Sequence, residues 1–235
     1  MSTTILYFDA ILFDMDGTLI NSLAGVTAAW EVFAKRFPDK DIDVKEILSS
    51  THGIRTAENL RRYCGIEDPE ELAREAETFE LAIAEGAAHC GGIVKLPGVD
   101  AIMKDVGHFS TLPNPKWAVC TSAARKYATS ALNAAGITIP DVFVVADDVE
   151  HGKPAPDPYL LGAEKCGVKA ERCLVVEDAP NGIRSGNAAG CKTLGLLTTH
   201  SPQQVAGASP DYTVKDLSSV SMKIVDNVVE VTIYE

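Results

Sequence analysis

Ala10-Ile11-Leu12-Phe13 is a continuous apolar run that stops abruptly at Asp14-Met15-Asp16-Gly17-Thr18. A short run without alternation suits a strand buried on both faces of a parallel sheet. Three further runs share that character: Trp117-Ala118-Val119-Cys120, Val142-Phe143-Val144-Val145 and Cys173-Leu174-Val175-Val176. Thr193-Leu194-Gly195-Leu196-Leu197 adds another. Helical stretches are expected near 125–135, 157–166 (Asp157 as cap, Pro158 at N1) and 180–189, with Gly190 as the stop. Strands alternating with helices predict an α/β fold, a Rossmann-like parallel sheet covered by helices on both faces. The tail from Lys223 to Tyr234 alternates enough for a closing strand or hairpin.

Between residues 23 and 92 the pattern differs. Val26, Trp30, Phe33 and Phe37 make one helical stripe, and Leu72, Ala76, Phe79 and Ile83 make another. Asp68-Pro69-Glu70-Glu71 has the form of a helix start, with Asp as N-cap and Pro at N1. No strong strand run interrupts this region. The expected organisation is an α/β core from 1–22 and 93–235 with an inserted all-helical cap from 23–92. Thr51-His52-Gly53-Ile54-Arg55 is a polar loop inside the insert.

Composition sets the outer limits. The chain has 235 residues, 46% hydrophobic and 23% charged, which excludes a disordered polyelectrolyte, a collagen-like repeat and a coiled-coil rod. Asp+Glu number 33 against 21 Lys+Arg, a formal net charge of −12. Such a surface repels nucleic acid and anionic lipid, so neither is an expected partner. No apolar run approaches a membrane span, and no leader pattern precedes the first strand. The six cysteines show no CxxC pair and read as reduced, mostly buried thiols of a cytoplasmic protein.

In open parallel sheets, ligands bind beyond the carboxyl ends of the strands. Four polar groups follow four strand runs in order: Asp14-x-Asp16-Gly17-Thr18, Thr121-Ser122, Gly152-Lys153-Pro154 and Glu177-Asp178. Crowded carboxylates repel and need a counter-charge. A hard divalent cation with oxygen ligands supplies it, and Mg²⁺ suits a site that also takes phosphate oxygens. Lys153 would compensate a phosphoryl group, and the Thr121 hydroxyl can donate to one. A carboxylate can itself be the nucleophile, while a second one two residues on protonates the leaving alcohol and then deprotonates water. The bland alternatives are turn carboxylates for Asp14 and Asp16, a solvated loop lysine for Lys153, and a helix-capping pair for Glu177-Asp178.

The motifs FDMDGT, VCTS, GKPAPDP and VVEDAPNG resemble, in order, the four signature motifs of the haloacid dehalogenase-like hydrolases. The resemblance implies Asp14 as nucleophile and Asp16 as general acid/base. It implies Mg²⁺ held by Asp14, the Asp16 carbonyl and Asp178, with Glu177 ligating directly or through water. Thr121 and Lys153 would hold the phosphoryl oxygens. The loop His52-Gly53-x-Arg55, Arg125 three residues after Ser122, and EDAPNGI are similar to the fungal glycerol-3-phosphate and 2-deoxyglucose-6-phosphate phosphatases, with Ala123 where that group usually has glycine. This likeness puts Thr18, His52, Arg55, Ser122, Arg125 and Asn181 on the substrate side, with Thr18 alternatively positioning the nucleophile turn and Arg125 alternatively capping its own helix. The implied activity is hydrolysis of a small sugar or polyol phosphate by a monomer. The alternatives are a phosphohexose mutase, for which Leu19-Ile20-Asn21-Ser22 lacks a histidine, a dehalogenase, against which Asp16 argues, and a binding protein of this fold that has lost catalysis.

Overall fold

The structure, a computed structural model, describes residues 3–50 and 53–234, with only the backbone described at Ser49 and Ser50. The chain begins with β1 (Thr3–Phe8) and β2 (Ala10–Phe13), then a two-residue strand β3 (Ile20–Asn21). Four helices follow: α1 (Leu23–Arg36), α2 (Val44–Ser50), α3 (Thr56–Cys64) and α4 (Pro69–His89). The chain returns through β4 (Val94–Lys95), α5 (Val99–Val106), β5 (Trp117–Cys120), α6 (Arg125–Ala134), β6 (Phe143–Val144) and α7 (Asp157–Lys165). It ends with β7 (Cys173–Glu177), α8 (Pro180–Ala188), β8 (Lys192–Leu196), α9 (Pro202–Ala206), β9 (Tyr212–Val214) and the hairpin β10 (Val220–Val225) to β11 (Val228–Tyr234).

The central sheet has six strands in the order β6-β5-β2-β7-β8-β9, all parallel. Its apolar runs are continuous because alternate side chains enter two different cores. Ile11, Phe13, Trp117, Val119, Leu174 and Val176 pack on one face. Ala10, Leu12, Ala118, Cys120, Cys173 and Val175 pack on the other. Phe13 meets Trp117 edge-on, with centroids 6.1 Å apart. Burying such a side chain contributes on the order of 1.5–3 kcal/mol, so the strand ends are held in fixed register, and the site inherits that rigidity.

The helical insert leaves the core through β3 and re-enters through β4, and these two strands pair antiparallel, Ile20 with Lys95 and Asn21 with Val94. The two stripes pack on each other: Trp30 and Phe33 on α1 contact Phe79 on α4 with centroids 4.8 and 5.0 Å apart. Asp68 caps α4 by accepting the Glu71 amide at 2.8 Å, with Pro69 in the first turn.

Several readings need correction. Among the described residues the insert holds four helices rather than two, because α2 and α3 are short and α3 has no side-chain cap to mark its start. Asp157 does not cap α7: Pro156 precedes the helix, and Asp157 in the first turn accepts from the His151 amide at 3.3 Å. The tail does form a hairpin, turning at Asp226 and Asn227, both with positive φ. It pairs with β1 to give a separate antiparallel sheet, β1-β11-β10. Five of the six unpaired cysteines are buried, and Cys90 is exposed. Among the described residues no helix is long and apolar enough to cross a membrane.

Candidate active site

The four polar groups after the strands do converge. Asp14 directly follows β2, and its Oδ1 lies 2.6 Å from Lys153 Nζ. Lys153 comes from the loop before α7, is 1% exposed and reaches Glu177 Oε1 at 2.7 Å. Glu177 ends β7 and is fully buried. Its Oε1 also accepts from the Tyr159 hydroxyl at 3.0 Å, and its Oε2 from the Ala179 amide at 2.9 Å. That last bond holds the loop before α8, but it is not the helix cap considered for the pair: Ala179 is itself the N-cap residue, and α8 has no side-chain cap. Asp178 accepts from Thr18 Oγ1 at 3.3 Å and from the Thr199 hydroxyl. Thr18 thus ties the turn after β2 to the end of β7.

Two glycines allow this crowding. Gly17 has φ +88°, and a Cβ there would overlap the Asp178 carboxylate. A Cβ at Gly182 would overlap the Glu177 carboxylate. Gly17→Ala therefore combines a left-handed backbone with a collision. It should lower the unfolding free energy in urea by about 1–3 kcal/mol. A variant as stable as the parent would show that the turn relaxes without moving Asp178.

The electrostatics favour a bound cation. Asp14, Glu177 and Asp178 each offer an oxygen within 4.8 Å of the others. Three carboxylates against one lysine leave a formal charge of −2. Burial, reinforced by the Glu177 charge, pushes Asp14 up to about 7. Burial and the same neighbours push Asp178 well up. Burial alone would lower Lys153, but Asp14 and Glu177 outweigh it and raise the lysine above its usual value. A buried all-oxygen donor set with surplus negative charge fits a hard divalent cation.

In front of Asp14 lies a cavity of about 90 Å³. Asp14, Asp16, Thr121 and Ser122 line its core side, while Val26, Trp30, Gly53, Thr56, Asn59, Phe79, Glu80 and Ile83 line its insert side. The stripe residues Trp30 and Phe79 are also cavity wall. Asp16 Oδ1 accepts from Ser22 Oγ at 2.5 Å and from the Tyr127 hydroxyl at 3.0 Å. Burial raises the Asp16 carboxyl, and those two bonds oppose the rise. Thr121 Oγ1 accepts the Ala123 amide at 3.1 Å, which leaves its proton free to donate.

The remaining substrate-side expectations divide. Ser122 lines the cavity, but its hydroxyl donates to the Gly53 carbonyl at 2.8 Å and so links core to insert. Arg55 donates to the Val149 and Glu150 carbonyls at 2.7 and 3.0 Å, strapping the insert onto the loop before Lys153. Arg125 is paired with Asp148 at 2.6 Å and lies over the Phe143 ring, outside the cavity lining. Asn181 sits in the first turn of α8 and accepts from Arg184 at 3.3 Å. His52 lies outside the described residues.

Sequence reading missed Ser22, Tyr127, Tyr159, Thr199, Asn59 and Glu80. Only Glu80 left a usable trace: it falls between Phe79 and Ile83 on the stripe with Ala76, a carboxylate where an apolar side chain is expected. Glu80 Oε1 accepts the Ala124 amide at 3.1 Å. Burial, with the Asp16 charge adding to it, pushes Glu80 up to about 7 against the pull of that amide.

The sequence model of haloacid dehalogenase-like hydrolases matches residues 8–190, which carry the whole acidic cluster and its lysine. The chain belongs to this family. Among characterised relatives, hexitol phosphatase A of Escherichia coli is 39% identical over 185 residues, covering 79% of this chain and 81% of that protein. Glycerol-1-phosphate phosphohydrolase 2 of Saccharomyces cerevisiae is 33% identical over 219 residues, covering 90% of this chain and 84% of that protein. A hydrolase from Pseudomonas syringae has a similar structure, with a TM-score of 0.76 at 26% identity, covering 88% of this chain and 94% of the other. The motifs after β2, β5 and β7 and before α7 meet at one end of the sheet.

Proposed function

We propose that the protein is a Mg²⁺-dependent phosphatase that hydrolyses a small polyol or sugar phosphate through a phosphorylated Asp14. The observation that carries this reading is the Asp14 carboxylate lining the cavity while Lys153 holds it at 2.6 Å beside Asp178 and Glu177. Asp14 attacks phosphorus, the bond to the leaving alcohol breaks, and Asp16 protonates that alcohol. Ser22 and Tyr127 hold Asp16 in place for this transfer. The same carboxylate then takes a proton from the water that cleaves the acyl phosphate. Lys153 and the Thr121 hydroxyl offset charge on the phosphoryl oxygens. Mg²⁺, when bound, would neutralise the surplus charge and help orient the phosphate. Asp14, Asp178 and the Asp16 carbonyl would hold it. Glu177 would ligate directly or through water, and its contact at 2.7 Å also orients Lys153.

The insert acts as a cap that excludes water and chooses the substrate. The names of the hexitol and glycerol-1-phosphate enzymes support a polyol phosphate. Five buried, unpaired thiols suit a reducing compartment, so the cytoplasm is the proposed location, with a monomer as the working unit. The test is phosphate release from hexitol, glycerol and sugar phosphates. Turnover should require Mg²⁺ and stop with EDTA, and Mg²⁺ should restore it. Turnover indifferent to chelator would remove the metal from the mechanism, and no release from any ester would remove the activity.

A further inference from the structure

The cavity has two polar side chains that the phosphoryl chemistry does not use, both contributed by the helical insert. Glu80 is 7% exposed and Asn59 is 8% exposed, and both line the cavity. Glu80 Oε1 accepts from the Ala124 amide at 3.1 Å and from the Thr56 hydroxyl at 3.4 Å. Among the described residues nothing donates to Glu80 Oε2, and the Asn59 side-chain amide has no protein partner. Neither group is among the fully buried unpaired atoms, so both open onto the cavity, where water or a ligand meets them. Trp30 and Phe79 form the apolar wall beside them.

We propose that Glu80 and Asn59 recognise the hydroxyl groups of the leaving alcohol, so that the site selects phosphate esters of polyhydroxylated alcohols over esters of plain alcohols. The proposal rests on the phosphatase reading and adds to it the residues that set substrate class. A carboxylate oxygen accepts from hydroxyls, and a carboxamide both donates and accepts, so the pair matches a chain carrying several hydroxyls. The C–H side of the same chain can lie on Trp30 and Phe79. A site that meets hydroxyls with buried polar groups rejects the analogue lacking them, because its own groups are left unpaired. Glu80 has a second consequence. Through Ala124 it touches the start of α6, just past Thr121, so the residue facing the hydroxyls also joins the cap to the core.

The test compares kcat/KM for glycerol phosphate and hexitol phosphate with that for propyl phosphate, in the Mg²⁺-loaded wild type and in Glu80→Gln and Asn59→Ala. Glutamine can still accept the Ala124 amide while presenting NH₂ in place of Oε2, which separates recognition from the tie to α6. The wild type should prefer the polyol esters. Glu80→Gln should lower kcat/KM on them by about 10–100-fold, mainly through KM, with a loss on propyl phosphate at least several-fold smaller. Asn59→Ala should act in the same direction. Equal losses on both ester types would overturn the proposal. So would a wild type that hydrolyses both equally well, a result that needs no variant to fold and leaves the phosphatase reading standing. A wild type inactive on every ester would remove the phosphatase reading together with this proposal.

Discussion

Replacing Asp14 with asparagine should lower kcat by roughly 10⁴-fold or more while leaving the protein folded. The side chains are nearly isosteric, so the packing between β2 and β7 does not change. What is lost is the attacking oxygen, since an amide is a poor nucleophile toward phosphorus. Lys153 keeps its contact with Glu177 at 2.7 Å. One of the crowded carboxylates also disappears, which relieves repulsion with Glu177 and Asp178, so the thermal midpoint should be unchanged or higher. Single-turnover kinetics and a thermal melt read the two effects separately. Substantial residual chemistry in a folded variant would move the nucleophile elsewhere.

The second large effect belongs to Lys153. It is 1% exposed, with a carboxylate oxygen at 2.6 Å on one side and 2.7 Å on the other. Lys153→Ala leaves Asp14 and Glu177 buried and unpaired. Breaking a buried ion pair by removing one partner costs about 3–5 kcal/mol. Turnover should fall at the same time, because the phosphoryl oxygens lose a fixed cation. If a divalent cation binds the same cluster, adding Mg²⁺ should recover part of the lost stability but little of the activity. Denaturant titration with and without Mg²⁺ distinguishes this from a surface lysine, whose removal would change stability by a few tenths of a kcal/mol.

The core and the centre of the site were legible because both depend on local sequence. A strand buried on two faces must be continuously apolar, and the catalytic groups follow such runs within a few residues. Lys153 was legible only in the company of the other motifs. What escaped depends on distant partners. β1 is recognised by pairing with β11 at the other end of the chain, Thr3 with Tyr234. Its own residues alternate only weakly, with Ile5 and Tyr7 about half exposed. Tyr127 and Asn59 lie within helices whose faces cannot be assigned to a cavity until α3, α4 and α6 are placed together. Arg55 and Ser122 show the opposite problem. Their residue types suited a substrate role, yet in the structure they donate to backbone carbonyls across the boundary between the helical insert and the core.

If Asp14 attacks phosphorus, a phosphoryl group must reside on it for part of each cycle. Acid quenching of the Mg²⁺-loaded enzyme within one turnover, followed by peptide mass spectrometry, should find one phosphoryl group on the peptide containing Asp14. It should be removable by hydroxylamine, as an acyl phosphate is, and absent from Asp14→Asn. A phosphoryl group on another residue, or an unmodified Asp14 peptide during a burst of alcohol release, would contradict the assignment.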